Sequence, residues 1–429
     1  MDVIDCIRVD QFRQLKKEIR GSERHLIVGI DVAKNKHNAF FGNATGKTLL
    51  KRLVFENSAE GFEKLITFAE SEKIKNCLEE TVFGMEPTGN YHKPLAEYLT
   101  RRDHSVVLVA GKAVSNNREM LDGRWDKNDS KDPANIADLI SQGKFMYYDH
   151  PVLPLRDLRN LLALKRRFKK QERGLKVRIR NHLLANYFPE LDKHFGLWEA
   201  GSLSIVRWCL SPSIISAMEY EDFARLVVPG SRVTQGQKNR LAQIFRDADK
   251  SIGCEVGEAL TFESEMMVDW LKRTRESIQA VDKKIEDVCL HFPEYACLRT
   301  IPGFGPDIAS KVLGAIGNPH RFNNGKQVLK LAGWDLSAKR SGKTSETAVP
   351  VISKKGKADL RYALYQAAWV ASSRNQFFVT YFANKLRGRE KEKGIKTKMR
   401  VKLAAKMLII AWTLMKKEDP FNPDYLNLE

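Results

Sequence analysis

The 429-residue chain lacks the features that mark a membrane or secreted protein. No apolar run approaches the roughly 18–20 residues of a membrane span. The nearest candidate, Met407 to Met415, is short and runs into Lys416 and Lys417. The stretch MDVIDCIRVDQF carries acids where a secretory signal has a basic segment followed by an apolar one. A cytoplasmic protein is therefore expected. Zinc-type motifs are missing too. Cys6, Cys77, Cys209, Cys254, Cys289 and Cys297 form no CxxC pair, and the nine histidines form no HxH or HExxH. Reduced thiols are expected, and any catalytic metal has to sit on carboxylates.

Basic charge is what the chain does have. Lys and Arg number 72 against 53 Asp and Glu, a formal net charge of +19. Such an excess concerns partners and not fold, and phosphate polyanions are the partners it favours. With 43% hydrophobic and 29% charged residues the composition is globular, and the length allows about two to four domains.

Residues 26–57 read as three strands, LIVGID, HNAFFGN and KTLLKRLVFEN. Ser58 opens an amphipathic helix with Phe62, Leu65, Ile66 and Phe68 expected on its buried side. TVFGMEP is a further buried strand, YHKPLAEYLTRR a helix and HSVVLVAG a strand. Strands followed by alternating helix and strand predict a mixed α/β sheet with its working edge at the strand ends.

From Leu155 the texture becomes helical. Between Leu155 and His182 there are eleven Lys or Arg and two acids, on a chain whose apolar residues fall at helical spacing. A solvated face normally mixes both signs, so this segment, with Arg166, Arg167, Lys169, Lys170 and Arg173, is expected to lie along nucleic-acid phosphates. Met266 to Leu290 predicts a second long helix, with Met267, Trp270, Leu271, Ile278, Val281, Ile285 and Val288 apolar, able to pair antiparallel with the first or with its copy in another subunit. Residues 183–265 read as a helical insert without a legible function. Lys385 to Lys406 is again basic, with ten Lys or Arg and two acids.

The chemistry-bearing residues are acidic. Asp31 and Glu86 end strands, and Asp129 and Asp132 stand three apart in KNDSKDPANIADLI, where a helix start puts both on one face. Converging carboxylates make a hard oxygen site suited to Mg²⁺, and paired ions of that kind stabilise attacking and leaving oxygens at phosphorus. Any one of these acids alone reads as a surface carboxylate or a helix cap.

GIDVAK at 29–34, GMEPTGNYH at 84–92 and KNDSKDPANIADL at 127–139 resemble the RuvC-like DEDD domain of IS110/IS1111-type transposases and the related Piv-type DNA invertases. TIPGFGPDIASKVLGAIGNPHRFNNGKQVLKLAGWD, with RSGKT and ISKKGKADLRYAL after it, resembles that family's carboxy-terminal transposase domain. The resemblance implies an RNase H-like α/β domain over 22–150, a helical coiled-coil arm and insert over 151–295, a mostly α, serine-bearing transposase domain over 296–385 and a basic helical tail over 386–429. It implies Mg²⁺ on Asp31, Glu86, Asp129 and Asp132, with Mn²⁺ able to substitute.

On residues alone Ser341 in AKRSGKT is a turn serine. The resemblance implies a nucleophile there, flanked by Lys339, Arg340 and Lys343, with Ser337 and Ser345 as neighbouring rivals. Arg340 stands where the family commonly has Gln or Ser, and Lys357 where it has Asn. Gly303 and Gly305 fit a helix-hairpin-helix-like turn approaching phosphate, and an ordinary helix–helix turn equally. Lys354 and Lys355 lie in the ISKKG block and are further candidate nucleic-acid contacts.

As partners the resemblance implies double-stranded donor and target DNA, a bridge RNA guide, and a homodimer that assembles into a tetramer with composite active sites. The alternatives are a Piv-type invertase, a RuvC-like nuclease or resolvase using water, and a non-catalytic scaffold.

Overall fold

The computed structural model describes residues 3–122, 131–194, 200–208, 210–228, 234–337 and 351–426. The chain divides into two compact units, Met1–Val152 and Leu153–Glu429.

The first unit is built on a six-stranded sheet in the order β3-β2-β1-β4-β5-β6. Its strands are β1 (His25–Asp31), β2 (Lys36–Asn43), β3 (Thr48–Glu56), β4 (Glu80–Met85), β5 (Ser105–Leu108) and β6 (Met146–Tyr147). β1, β2 and β3 form an antiparallel meander, β4 and β5 add parallel to β1, and β6 closes the far edge antiparallel. β1 is buried along nearly its whole length, as a central strand covered on both faces must be. One face carries a core with Phe41, Phe55, Phe62, Leu65 and Leu95, and the other a core with Ile27, Val82, Ile136 and Ile140.

The helices of this unit are α1 (Val3–Glu18), α2 (Ala59–Lys75), α3 (His92–Thr100), α4 (Gly111–Asp122) and α5 (Lys131–Ser141). Ser58 caps α2 by accepting a hydrogen bond from the Gly61 amide. Phe62 and Leu65 are buried as expected, but Phe68 is 39% exposed and Ala69 takes the inward position. The stripe through 62, 65 and 69 leaves Phe68 on the solvent flank. Two helices escaped the sequence reading. α1 packs Leu15 and Ile19 into the same core as Ile27 and Val82. α4, polar in sequence, follows the β5 strand directly.

The second unit is helical apart from one small two-stranded sheet among its described residues. α6 (Leu153–Arg178) runs into a π-helical turn at Ile179–Leu184. Six shorter helices follow, α7 to α12: Ala185–Tyr187, Pro189–His194, Ala200–Trp208, Pro212–Ser216, Tyr220–Val227 and Gln235–Ala248. They are not an appendage without a core, for Phe188, Phe223, Leu241 and Ile244 pack with Leu271 of α13 (Glu258–Cys289) and Leu175 of α6.

α6 and α13 lie antiparallel. Lys165 pairs with Asp282, Glu172 with Arg275 and His182 with Glu263, so one partner's number rises as the other's falls. Of the apolar positions expected inward on α13, Trp270 turns out, at 46% exposed, while Val268 and Thr274 are buried in addition to Met267, Leu271 and Ile278.

The remaining elements are α14 (Pro293–Arg299), α15 (Pro306–Ile316), α16 (Gly325–Ala332), β7 (Leu336–Ser337), β8 (Val351–Ile352), α17 (Ala358–Arg374), α18 (Gln376–Leu386) and α19 (Ile395–Lys417). α19 supplies a buried face through Leu403, Met407, Leu408, Ala411 and Leu414. The short apolar run at Met407 to Met415 lies within this buried face, and no helix among the described residues is long and apolar enough to cross a membrane.

Candidate active site

Asp31 is the last residue of β1, and Glu86 directly follows β4. The two strands are parallel neighbours with Ile30 opposite Met85, so both acids leave the same edge of the sheet. Two residues earlier on each strand stand Gly29 and Gly84, also paired. Their lack of a side chain lets α5 lie close: a Cβ on Gly29 would collide with the Pro133 carbonyl and stand 2.8 Å from the Ala137 amide nitrogen, and one on Gly84 would collide with Ile140. That close seat brings Asp132, in the first turn of α5, to the strand ends.

Asp31, Glu86 and Asp132 together line one open cavity of about 740 Å³. Four cations, Lys34, Lys36, Arg52 and Arg118, line it as well. Glu86 has space there because residue 111 is glycine. A Cβ on Gly111 would stand 2.5 Å from the Glu86 Oε1 atom.

Asp132 is only 4% exposed. Arg118 of α4 donates from a terminal guanidinium nitrogen to its Oδ1 oxygen at 2.5 Å. Removing one member of so buried a pair typically costs ~3–5 kcal/mol, because the other charge is left uncompensated. Beside this pair, α4 and α5 are fastened by amides. Asn117 Nδ2 donates to Asn135 Oδ1 at 2.6 Å and Asp138 Oδ2 at 2.8 Å, and Asn135 Nδ2 returns to the Val114 carbonyl at 2.7 Å.

None of Gly111, Asn117, Arg118 or Asn135 was singled out from sequence. The SNNRE stretch has no motif, and the only available signal was a run of amides and one arginine between two acid-bearing segments. Lys34, Lys36 and Arg52 were missed likewise, being scattered over the turn after β1 and strands β2 and β3.

A divalent cation is what the sequence resemblance implies for these acids, and the donor chemistry suits one. All three described groups are carboxylates, the hard oxygen ligands such ions prefer, and the Gly111 cradle keeps room for one of them. Among the described residues no three His, Cys, Asp or Glu side chains are gathered closely enough to hold an ion. Asp129 lies outside the described residues, as do Lys339, Arg340, Ser341, Lys343 and Ser345.

Burial lowers the pKa of three imidazoles in this unit. His37, His92 and His104 are each held below their ordinary range by loss of solvent, with Asn57 opposing at His37 and Lys93 reinforcing at His92. His37 accepts the Ala33 amide at 3.2 Å and braces the turn after Asp31.

In the second unit the basic helix α6 turns out to be partly an internal strut. Lys165 bridges Asp282 of α13 and Asp307 of α15, Lys169 and Lys176 pair with the buried Glu172, and Arg159 Nε donates to the Gly314 carbonyl at 2.8 Å. Arg166 reaches Asp359 at 3.1 Å, an exposed pair. Arg167, Lys170 and Arg173 are exposed on the same helix.

The turn between α14 and α15 divides its two glycines. Gly303 has φ +89°, and a Cβ there would stand 2.6 Å from the Ala367 carbonyl, so it serves packing against α17. Gly305 caps α15 with open space around its Cα. Lys354 and Lys355 are exposed, with Lys354 at φ +55°. Lys357 has a local task, donating its Nζ to the Ala315 carbonyl at 3.1 Å.

An α/β sheet with acids leaving one edge into a cation-lined cavity suits chemistry on a phosphodiester, and the comparison with known proteins points to the same substrate class. A DEDD transposase model matches residues 28–189, and a model described as Transposase IS116/IS110/IS902 family matches residues 295–383. The chain is 23% identical over 419 residues to the uncharacterized 44.8 kDa protein of insertion element IS116 from Streptomyces clavuligerus, covering 94% of this chain and 98% of that protein. The chain belongs to the IS110 family of transposases, enzymes that cut and rejoin DNA.

Proposed function

We propose that this transposase exchanges DNA strands through a carboxylate-held divalent cation, Mg²⁺ in the first instance, and a serine nucleophile. The observation that carries the reading is the meeting of Asp31, Glu86 and Asp132 on one cavity that four cations also line. Asp31, Glu86 and Asp132, with Asp129, would hold the cation. When bound, it supplies charge stabilisation at the scissile phosphorus. Lys34, Lys36 and Arg52 attract and orient the polyanionic backbone within the cavity.

Ser341 attacks the phosphorus through its hydroxyl oxygen. A serine–phosphate ester forms, the bond to one deoxyribose oxygen breaks, and that oxygen leaves with a proton. The hydroxyl of the exchanged strand then attacks the ester, restoring a phosphodiester and releasing the serine. Splitting the transfer in two conserves the bond for rejoining, which a hydrolytic site does not do. The serine and acids come from different copies in a composite site, within a homodimer that pairs to a tetramer on DNA.

Sequence choice is delegated to a bridge RNA paired with donor and target DNA. Abundant Lys and Arg without a recognised base-reading module support this division of labour. The paired α6 and α13 helices act as a coiled-coil arm, and the turn before α15 as a helix-hairpin-helix contact through Gly305.

The test is strand exchange on DNA carrying an element end and a target, with Mg²⁺ and the guide. Asp31→Asn and Glu86→Gln should abolish exchange while DNA binding persists. Undiminished exchange in either variant contradicts the carboxylate site.

A further inference from the structure

We infer that Arg118 is the resident counter-cation of Asp132, surrendering it to the divalent cation when a phosphodiester enters the cavity. The inference rests on the carboxylate-site reading above and adds a device that ties loading of the site to substrate.

Asp132 is nearly sealed from water, and a buried carboxylate is costly to keep charged without a cation or donors to compensate it. Arg118 provides one, but its grip is partial. A terminal nitrogen reaches Asp132 Oδ1, while the buried Nε has no hydrogen-bond partner. A guanidinium meant as a permanent brace uses its donors as a fork, and this one does not. Nor is it needed to fasten α4 to α5, since the adjacent Asn117 does so with two hydrogen bonds across the same interface. The pair's contribution at this point is charge, held through a single terminal nitrogen of the guanidinium.

Arg118 also lines the cavity with Lys34, Lys36 and Arg52. A phosphodiester there offers the guanidinium another anion, with two free oxygens matched to its fork. As Arg118 moves to phosphate, Asp132 is left as an uncompensated carboxylate, and its affinity for a divalent cation rises. Linkage makes the effect mutual, so each of cation and DNA strengthens the other's binding. Without DNA, Arg118 competes with the cation and keeps the site poorly loaded.

The experiment is Mn²⁺ titration of the full chain by calorimetry, with and without a short DNA duplex, for the wild type, Arg118→Gln and Arg118→Lys. Circular dichroism and thermal melting confirm folding of each. Without DNA, Arg118→Gln should bind Mn²⁺ about tenfold more tightly than wild type, and Arg118→Lys should stay near wild type. DNA should tighten Mn²⁺ binding in wild type and do so much less in Arg118→Gln. Wild type that binds Mn²⁺ while Arg118→Gln binds it equally or more weakly overturns the counter-cation role and leaves the carboxylate site standing. Absence of Mn²⁺ binding in all three, with and without DNA, overturns both. If Arg118→Gln does not fold, Arg118→Lys carries the test: equal gains from DNA in wild type and Lys variant support the role, and an undiminished site with no gain in either overturns it.

Discussion

Gly29 and Gly84 stand opposite each other on the two central parallel strands and leave the gap into which helix α5 settles. Each lies two residues before an acid, on the same face of its strand, so one pair of missing side chains sets where Asp31, Glu86 and Asp132 meet. Gly29→Ala should therefore damage the fold as well as the site. Its new Cβ meets backbone, which cannot swing aside, and overpacking of this kind costs about 1–3 kcal/mol. Thermal melting should show the loss. An unchanged melting temperature would mean that α5 does not sit where described.

Gly111→Ala should behave differently. Its Cβ meets the tip of a flexible side chain, the Glu86 carboxylate, which can move away at little cost. The expected outcome is near wild-type stability with strand exchange reduced on the order of tenfold or more, as for a small misplacement of a reacting group. Full exchange in Gly111→Ala would show that the position of Glu86 does not matter.

The exposed cations of α6 give a prediction separable from the internal ones. Neutralising Arg167, Lys170 and Arg173 together should flatten the salt dependence of nucleic-acid affinity by about 0.7–0.9 units of log–log slope per lost contact. Lys165→Met should instead destabilise the second unit, because Asp282 and Asp307 lose their shared partner. Unchanged slope in the triple variant would make α6 purely structural.

Stability should fall on acidification. His37, His92 and His104 have folded values pushed below the ordinary 6.5 by burial. The unfolded chain takes up protons near 6.5 while the folded imidazoles stay neutral to lower pH, so their contribution is complete above that point and lost as pH falls below it. Urea denaturation in EDTA should give a lower midpoint at about pH 5.5 than at about pH 7.5. A flat or rising midpoint would contradict the burial of these rings.

Much of the first unit was legible because strands β1 to β4 alternate or run apolar between turn residues, and the acids follow them immediately. α6 was equally plain from its spacing. α4 was not, since GKAVSNNREMLD is mostly polar and its inward residues, Val114 and Asn117, make no stripe. Arg118 is visible as a site residue only once α4 and α5 are side by side. Charge counting overstated the free cations of α6 because Asp282, Asp307 and Asp359, distant in sequence, claim two of them, and Glu172 within the helix pairs with Lys169 and Lys176. Trp270 and Phe68 showed the limits of periodicity, as each falls at the edge of a stripe whose centre a smaller residue occupies.

The most direct measurement is a search for a covalent link between the chain and DNA. The full-length protein is incubated with end-labelled donor and target DNA, guide RNA and Mg²⁺, then digested and analysed by mass spectrometry for a nucleotide-bearing peptide. The account predicts an adduct on Ser341 in wild type, and neither adduct nor exchange in Ser341→Ala, which still binds DNA. Full cleavage by Ser341→Ala, with no adduct in wild type, would contradict it and leave a hydrolytic nuclease.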